Sequence, residues 1–128
     1  MNFSKHNHIF GDLEAEIMDV AWKKISVSVR DVLSELSKKR SLAYTTVMTV
    51  MSRLADKGVL KRTGTISGAY RYEPILPKED FLKKASREMV KNLIHEFGDV
   101  AVAQFIDVIE KGDQKKRDEW VKKLKKIT

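Results

Sequence analysis

Thr45, Met48, Thr49 and Ser52 share one face of a helical period within AYTTVMTVMSRLADKGVLKR, residues 43–62. Three hydroxyls and a thioether supply hydrogen bonds and apolar contact together, and the DNA major groove offers base-edge acceptors beside thymine methyl groups. On the opposite side Val47, Val50, Met51 and Leu54 recur at i, i+3, i+4 and i+7, a stripe that must be buried. An ordinary solvated face would carry Glu, Lys and Gln, strong helix formers that hydrate well. Thr45, Thr46 and Thr49 can donate to phosphates or base edges. Their methyls and Met48 suit an A·T-rich half-site. Tyr44, at the mouth of this helix, is placed to touch backbone or a methyl.

Charge gathers around the same helix. Residues 38–72 contain eight cations (Lys38, Lys39, Arg40, Arg53, Lys57, Lys61, Arg62, Arg71) and one acid, Asp56. The local balance equals the +7 of the whole chain, so the remainder is neutral. A concentrated positive segment beside an uncharged face is the footprint of a nucleic-acid binder. Arg53, Lys57, Lys61, Arg62 and Arg71 are expected to clamp phosphates and set register. Basic residues alone would equally describe a solubilised surface. They leave the hydroxyl face unexplained.

The elements that must position this helix follow from pattern. Leu13, Ile17, Val20 and Ala21, flanked by Met18 and Trp22, predict a first helix entered through Gly11 and Asp12, with Asp12 a candidate cap. Ile25 to Val27 predict a short strand. Ser28 reads as the cap of a second helix with the stripe Val29, Val32, Leu33, Leu36, and its N-terminus is a further place for a phosphate. The third helix is expected from Tyr44 to a left-handed stop at Gly58. Val59–Thr63 and Ala69–Glu73 then predict a hairpin around GTISG. Three helices and a hairpin form a winged helix-turn-helix, mostly α with a small β wing. Tyr70 and Tyr72, two apart on a strand, are expected in the wing's core rather than on DNA.

Pro74 and Pro77 punctuate the chain, predicting domains at 1–76 and 77–128. Phe81, Leu82, Ala85, Met89, Leu93 and Phe97 give the next helix a long stripe ending at Gly98. VAVAQFIDVIE is apolar on nearly all sides, and beyond Gly112 a last helix carries Trp120, Val121, Leu124 and Ile127. Residues 78–128 cannot cover that surface alone. A two-fold homodimer through Leu93, Phe97, Val102, Phe105, Ile106, Ile109, Trp120 and Leu124 is expected. The alternative is that these helices fold back on the first domain.

Several classes are disfavoured. The chain of 128 residues has no cysteine, which excludes disulfides and thiolate-based metal or catalytic sites. No metal site and no cofactor are expected, since His6 and His8 lack a third ligand at helical spacing. Glu14 and Glu16 do not share a helix face, and GTISG lacks the Gly-Lys-Thr/Ser of a phosphate loop. No nucleophile and base rise above background, so no enzymatic activity is expected. No apolar run approaches a membrane span, and MNFSKHNHIFGD lacks a signal-peptide core, making a cytoplasmic protein without membrane binding the expectation. A protein-interaction adaptor is the competing function, but it calls for aromatics or an acidic patch on the third helix.

LEAEIMDVAW (13–22), VRDVLSEL (29–36), AYTTVMTVMSRLADKGVLKR (43–62) and YRYEP (70–74) together resemble the penicillinase-repressor family of bacterial transcriptional regulators. The resemblance implies a homodimeric winged-helix repressor that blocks transcription from operators with inverted TACA and TGTA elements. It also implies, for antibiotic-responsive members, release through a membrane sensor-protease and cleavage in the dimerisation helices between Asn and Phe. Here that position is Gln104 followed by Phe105, one methylene longer. Copper-responsive members end in a cysteine-rich motif, which this chain lacks.

Overall fold

A computed structural model describes residues 10–66 and 68–127, the side chains of Ile66 and Ile127 excepted. His6, His8 and Ser67 lie outside the described residues, and so does the Ile127 side chain. The chain forms two compact units, residues 1–83 and 84–128.

The first unit runs α1 (Asp12–Lys24), β1 (Val27–Ser28), α2 (Val29–Leu36), α3 (Tyr44–Asp56), β2 (Leu60–Ile66), β3 (Ala69–Pro74) and the first turn of α4 (Lys78–Phe97). Gly11, not Asp12, is the N-cap of α1, and Asp12 is its first residue, where a carboxylate meets the positive helix end. Ala15, Ile17, Met18 and Ala21 form the buried face of α1. The helix then stops abruptly. Ile25 takes φ 72° and ψ −45°, and Ser26 N donates to Lys24 O at 2.9 Å, closing a γ-turn of the strained hand around a β-branched residue. Ile25 is therefore exposed and outside the strand expected to contain it.

α2 opens with a reciprocal cap. Ser28 Oγ accepts from Asp31 N at 3.1 Å, and Ser28 N donates to Asp31 Oδ2 at 2.9 Å. α3 buries Val47, Met51 and Leu54 completely, while Val50 is only half-buried. Burying each large apolar side chain stabilises the fold by about 1.5–3 kcal/mol. Its end is a Schellman motif: Gly58 N donates to Ala55 O (3.0 Å) and Val59 N to Leu54 O (2.9 Å), with Gly58 at φ +77°.

The strands make one antiparallel sheet in the order β1-β3-β2, with Val27 opposite Tyr72 and Arg62 opposite Tyr72 from the other side. β2 is longer than the sequence suggested. Between the Arg62–Tyr72 and Gly64–Arg71 pairs Thr63 is the extra residue of a bulge, and Gly64 (φ +151°) lets the strand continue to Ile66. The turn is thereby displaced toward Gly68. Val27, Leu60 and Tyr72 close the core over Ile17, Met18, Val32 and Met51. Phe81 stacks on Phe10 at 5.4 Å and leans on Trp22 at 5.4 Å, and Trp22 Nε1 donates to Leu76 O at 3.0 Å. The division between the units lies inside α4 because Phe81 and Leu82 pack on this core. The architecture is a winged helix-turn-helix.

The second unit contains the rest of α4, α5 (Asp99–Glu110) and α6 (Gln114–Ile127). α4 and α5 meet at Gly98 (φ +60°), and Asp113 Oδ1 caps α6 by accepting from Lys115 N at 3.0 Å. Apolar side chains are left open: Phe97 and Phe105 are 55% exposed and Val108 67%. Leu93, Val102, Ile106, Trp120 and Leu124 are also exposed. Ile109 departs from the expected dimer surface. It is buried within its own chain, with 7% of its surface exposed.

Candidate nucleic-acid interface

α3 turns its buried stripe inward and so presents Tyr44, Thr45, Thr46, Met48 and Thr49 to solvent, with Met48 40% exposed. Ser52 is half-buried at the edge of this face. Thr49 Oγ1 donates to the Thr45 carbonyl at 2.8 Å. That back-bond uses its only proton, so Thr49 offers a methyl and acceptor lone pairs rather than the donor expected from sequence.

The surrounding cations divide into two groups. Acids from outside the basic segment neutralise half of it. Lys57 meets both oxygens of Glu14 at 3.1 Å, Arg40 meets Glu16 at 3.1 Å, Lys38 meets Glu35 at 3.3 Å, and Arg71 meets Asp31 at 3.1 Å. Lys24 shares Glu35 at 3.4 Å, and hydrogen bonding from Lys38, then from Lys24, holds that carboxyl below its usual range. Arg53, Lys61 and Lys39 have no carboxylate partner among the described residues.

Arg71 and Ser28, expected on phosphates, are both engaged within the protein. Arg71 also donates to Ser26 O at 3.0 Å and to Ser26 Oγ at 3.2 Å, so its guanidinium ties β3 to the start of α2. The Ser28 hydroxyl is committed to the cap, and the Asp31 carboxylate already occupies the helix end where a phosphate was expected. The Ser28 backbone N–H, foremost, keeps Asp31 below the usual carboxylate range, helped by the Ser28 hydroxyl and by Arg71 against a desolvation cost.

On the wing, the Arg62 guanidinium lies 5.2 Å from the Tyr70 ring and 5.6 Å from that of Tyr72. Hydrogen bonding to Tyr72, more than nearby charge, raises the Arg62 pKa. Tyr72 is in the core as expected, but Tyr70 is 53% exposed. The reason is register: Tyr72 pairs with β1 above the helices, whereas Tyr70 pairs only with Thr65, beyond the bulge.

Sequence reasoning missed Arg30. It is exposed in the first turn of α2, with its guanidinium 5.7 Å from the Tyr44 ring centroid. Counting charge from Lys38 onward left it out. The available signal was a cation in a first helical turn, where the dipole disfavours it without a partner.

Among the described residues no three His, Asp or Glu side chains converge as metal ligands, and no helix is long and apolar enough to cross a membrane. What converges is an uncharged, hydroxyl-bearing face on α3, cations without a carboxylate partner beside it, and a wing that carries an arginine on two aromatic rings.

The sequence profile of the penicillinase repressor family matches residues 10–126. A Mycobacterium tuberculosis protein named transcriptional regulator BlaI is 41% identical over 73 residues, 56% of this chain and 52% of the relative. The chain thus spans about half the length of that relative. A Bacillus licheniformis penicillinase repressor is 28% identical over 98 residues, 75% of this chain and 74% of that protein. The solution structure of the DNA-binding domain of the repressor BlaI, 32% identical, aligns with a TM-score of 0.49 over 56% of this chain and 85% of that one. Because the profile match runs through both compact units, the chain belongs to the penicillinase repressor family.

Proposed function

We propose that this protein is a sequence-specific DNA-binding transcriptional repressor, acting in the cytoplasm as a homodimer on an inverted-repeat operator. The carrying observation is the exposed Thr45, Met48 and Thr49 surface on a helix anchored by Val47, Met51 and Leu54. Methyl groups and lone pairs on that surface match thymine methyls and base-edge donors in a major groove. Arg53, Lys61 and Arg62 then hold the flanking phosphates, with Lys57 able to exchange its exposed Glu14 pair for one. Family membership and the relatives' names, transcriptional regulator and penicillinase repressor, support the same reading.

Homodimerisation is supported by the apolar surface of residues 84–128, including Phe97, Phe105 and Trp120. Two heads joined by that surface would meet half-sites spaced near an integral number of DNA turns. Cleavage between Gln104 and Phe105 belongs to the same proposal, with a membrane sensor-protease as its upstream partner. The bond lies within α5 and both side chains are exposed. Cutting there would separate the subunits and leave the winged helix whole.

Binding-site selection from a random duplex library tests the function. Enrichment of an inverted repeat containing TACA and TGTA elements is expected. Recovery of duplexes without any common element would overturn sequence-specific repression.

A further inference from the structure

Two arginines next to α3 are ordered on aromatic rings rather than by a close ion pair. Lys57, Arg40, Lys38 and Arg71 each face a carboxylate, whereas Arg62 and Arg30 rest on aromatic rings. We propose that Arg30, held over the ring of Tyr44, is a further DNA-backbone clamp at the α2–α3 corner; the proposal rests on the DNA-binding reading above.

Arg30 is the second residue of α2, and Tyr44 is the first residue of α3. The contact between them, 5.7 Å from guanidinium carbon to ring centroid, places a full positive charge at the mouth of the reading face. The adjacent carboxylate cannot cancel it, because Asp31 is engaged by Arg71 and by the Ser28 N–H. No carboxylate or hydrogen-bond acceptor partners Arg30 among the described residues. The ring quadrupole attracts the guanidinium but leaves its net charge intact. The ring also restricts a side chain that would otherwise lose rotamer freedom on binding. A forked, pre-oriented, unneutralised guanidinium beside a base-reading helix is suited to a phosphate flanking the bases that are read. Arg71, on the other side of Asp31, has the same chemistry but spends it inside the protein.

Fluorescence anisotropy of the full chain with a labelled duplex carrying inverted TACA and TGTA elements, repeated across a salt series, tests this. Arg30→Ala is expected to reduce the slope of log affinity against log salt by about 0.9 for each phosphate that is no longer neutralised, with an unchanged melting temperature. Arg30→Lys should keep the slope and lose part of the affinity. Tyr44→Phe, which keeps the ring under Arg30, should weaken binding less than Tyr44→Leu, and both should retain the slope because the charge remains. An Arg30→Ala slope equal to the wild type's overturns the clamp and leaves the DNA-binding reading standing. A wild type that binds no duplex overturns both.

Discussion

Replacing Asp31 with alanine removes two interactions at the point where α2, β1 and β3 meet. The Ser28 N–H loses its acceptor at 2.9 Å, and Arg71 loses its ion pair at 3.1 Å. A capping interaction contributes about 0.5–2 kcal/mol. The ion pair adds at most about 1 kcal/mol, discounted for solvent screening because the Asp31 side chain is 42% exposed. The expected loss at neutral pH is therefore about 1–2 kcal/mol. For a domain of this size each kcal/mol moves the melting temperature by about 4–8 °C. The pH dependence has a definite sign. A carboxyl whose folded pKa lies below its unfolded value of about 3.8 stabilises fully above that value, and the contribution disappears as pH falls through the folded pKa. Urea melts of wild type and Asp31→Ala should thus differ at pH 7 and converge at the acid end. Asp31→Asn, which keeps an acceptor for the Ser28 N–H, should lose less. A gap of constant size down to the lowest pH at which both proteins fold would refute a role for the ionised carboxylate.

Other perturbations address different links. Ile25→Gly relieves the strained γ-turn, worth about 1–3 kcal/mol, against the entropy cost of a new glycine of about 0.5–1 kcal/mol; a net gain near 1 kcal/mol in chemical denaturation is expected. Gly58→Ala has open space around its Cβ but must keep φ +77°, so a loss of about 1–2 kcal/mol should appear in the same assay. Phe105→Asp would put an unpaired carboxylate on the proposed dimer surface. Sedimentation should report a monomer whose winged helix still melts cooperatively, and a wild type already monomeric at micromolar concentration would contradict the assembly.

Local rules made much of the first unit legible. The stripe Val47, Met51, Leu54 and the stop at Gly58 depend on helical period and one left-handed residue, both visible in sequence. The hairpin's extent was not visible, because Gly64 reads as a turn residue yet sits beside a bulge that allows the strand to continue. Which cations are ion-paired was not visible, for a non-local reason. Glu14, Glu16 and Asp31 precede the basic segment but fold against it, converting Lys57, Arg40 and Arg71 into ion-paired residues. Exposure of Tyr70 and burial of Ile109 likewise follow from which element lies opposite, a tertiary fact. The exposed face of α3 was legible because its signal was the absence of charge at particular helical positions.

Discrimination between a duplex with inverted TACA and TGTA elements and a scrambled duplex, measured for wild type, Met48→Ala and Thr49→Ala, tests the central claim most directly. The wild type should prefer the inverted repeat. Each variant should bind that duplex about 1–3 kcal/mol more weakly, roughly 5- to 150-fold, while its affinity for the scrambled duplex stays near the wild-type value. Equal losses on both duplexes, or a wild type without preference, would contradict base reading by α3.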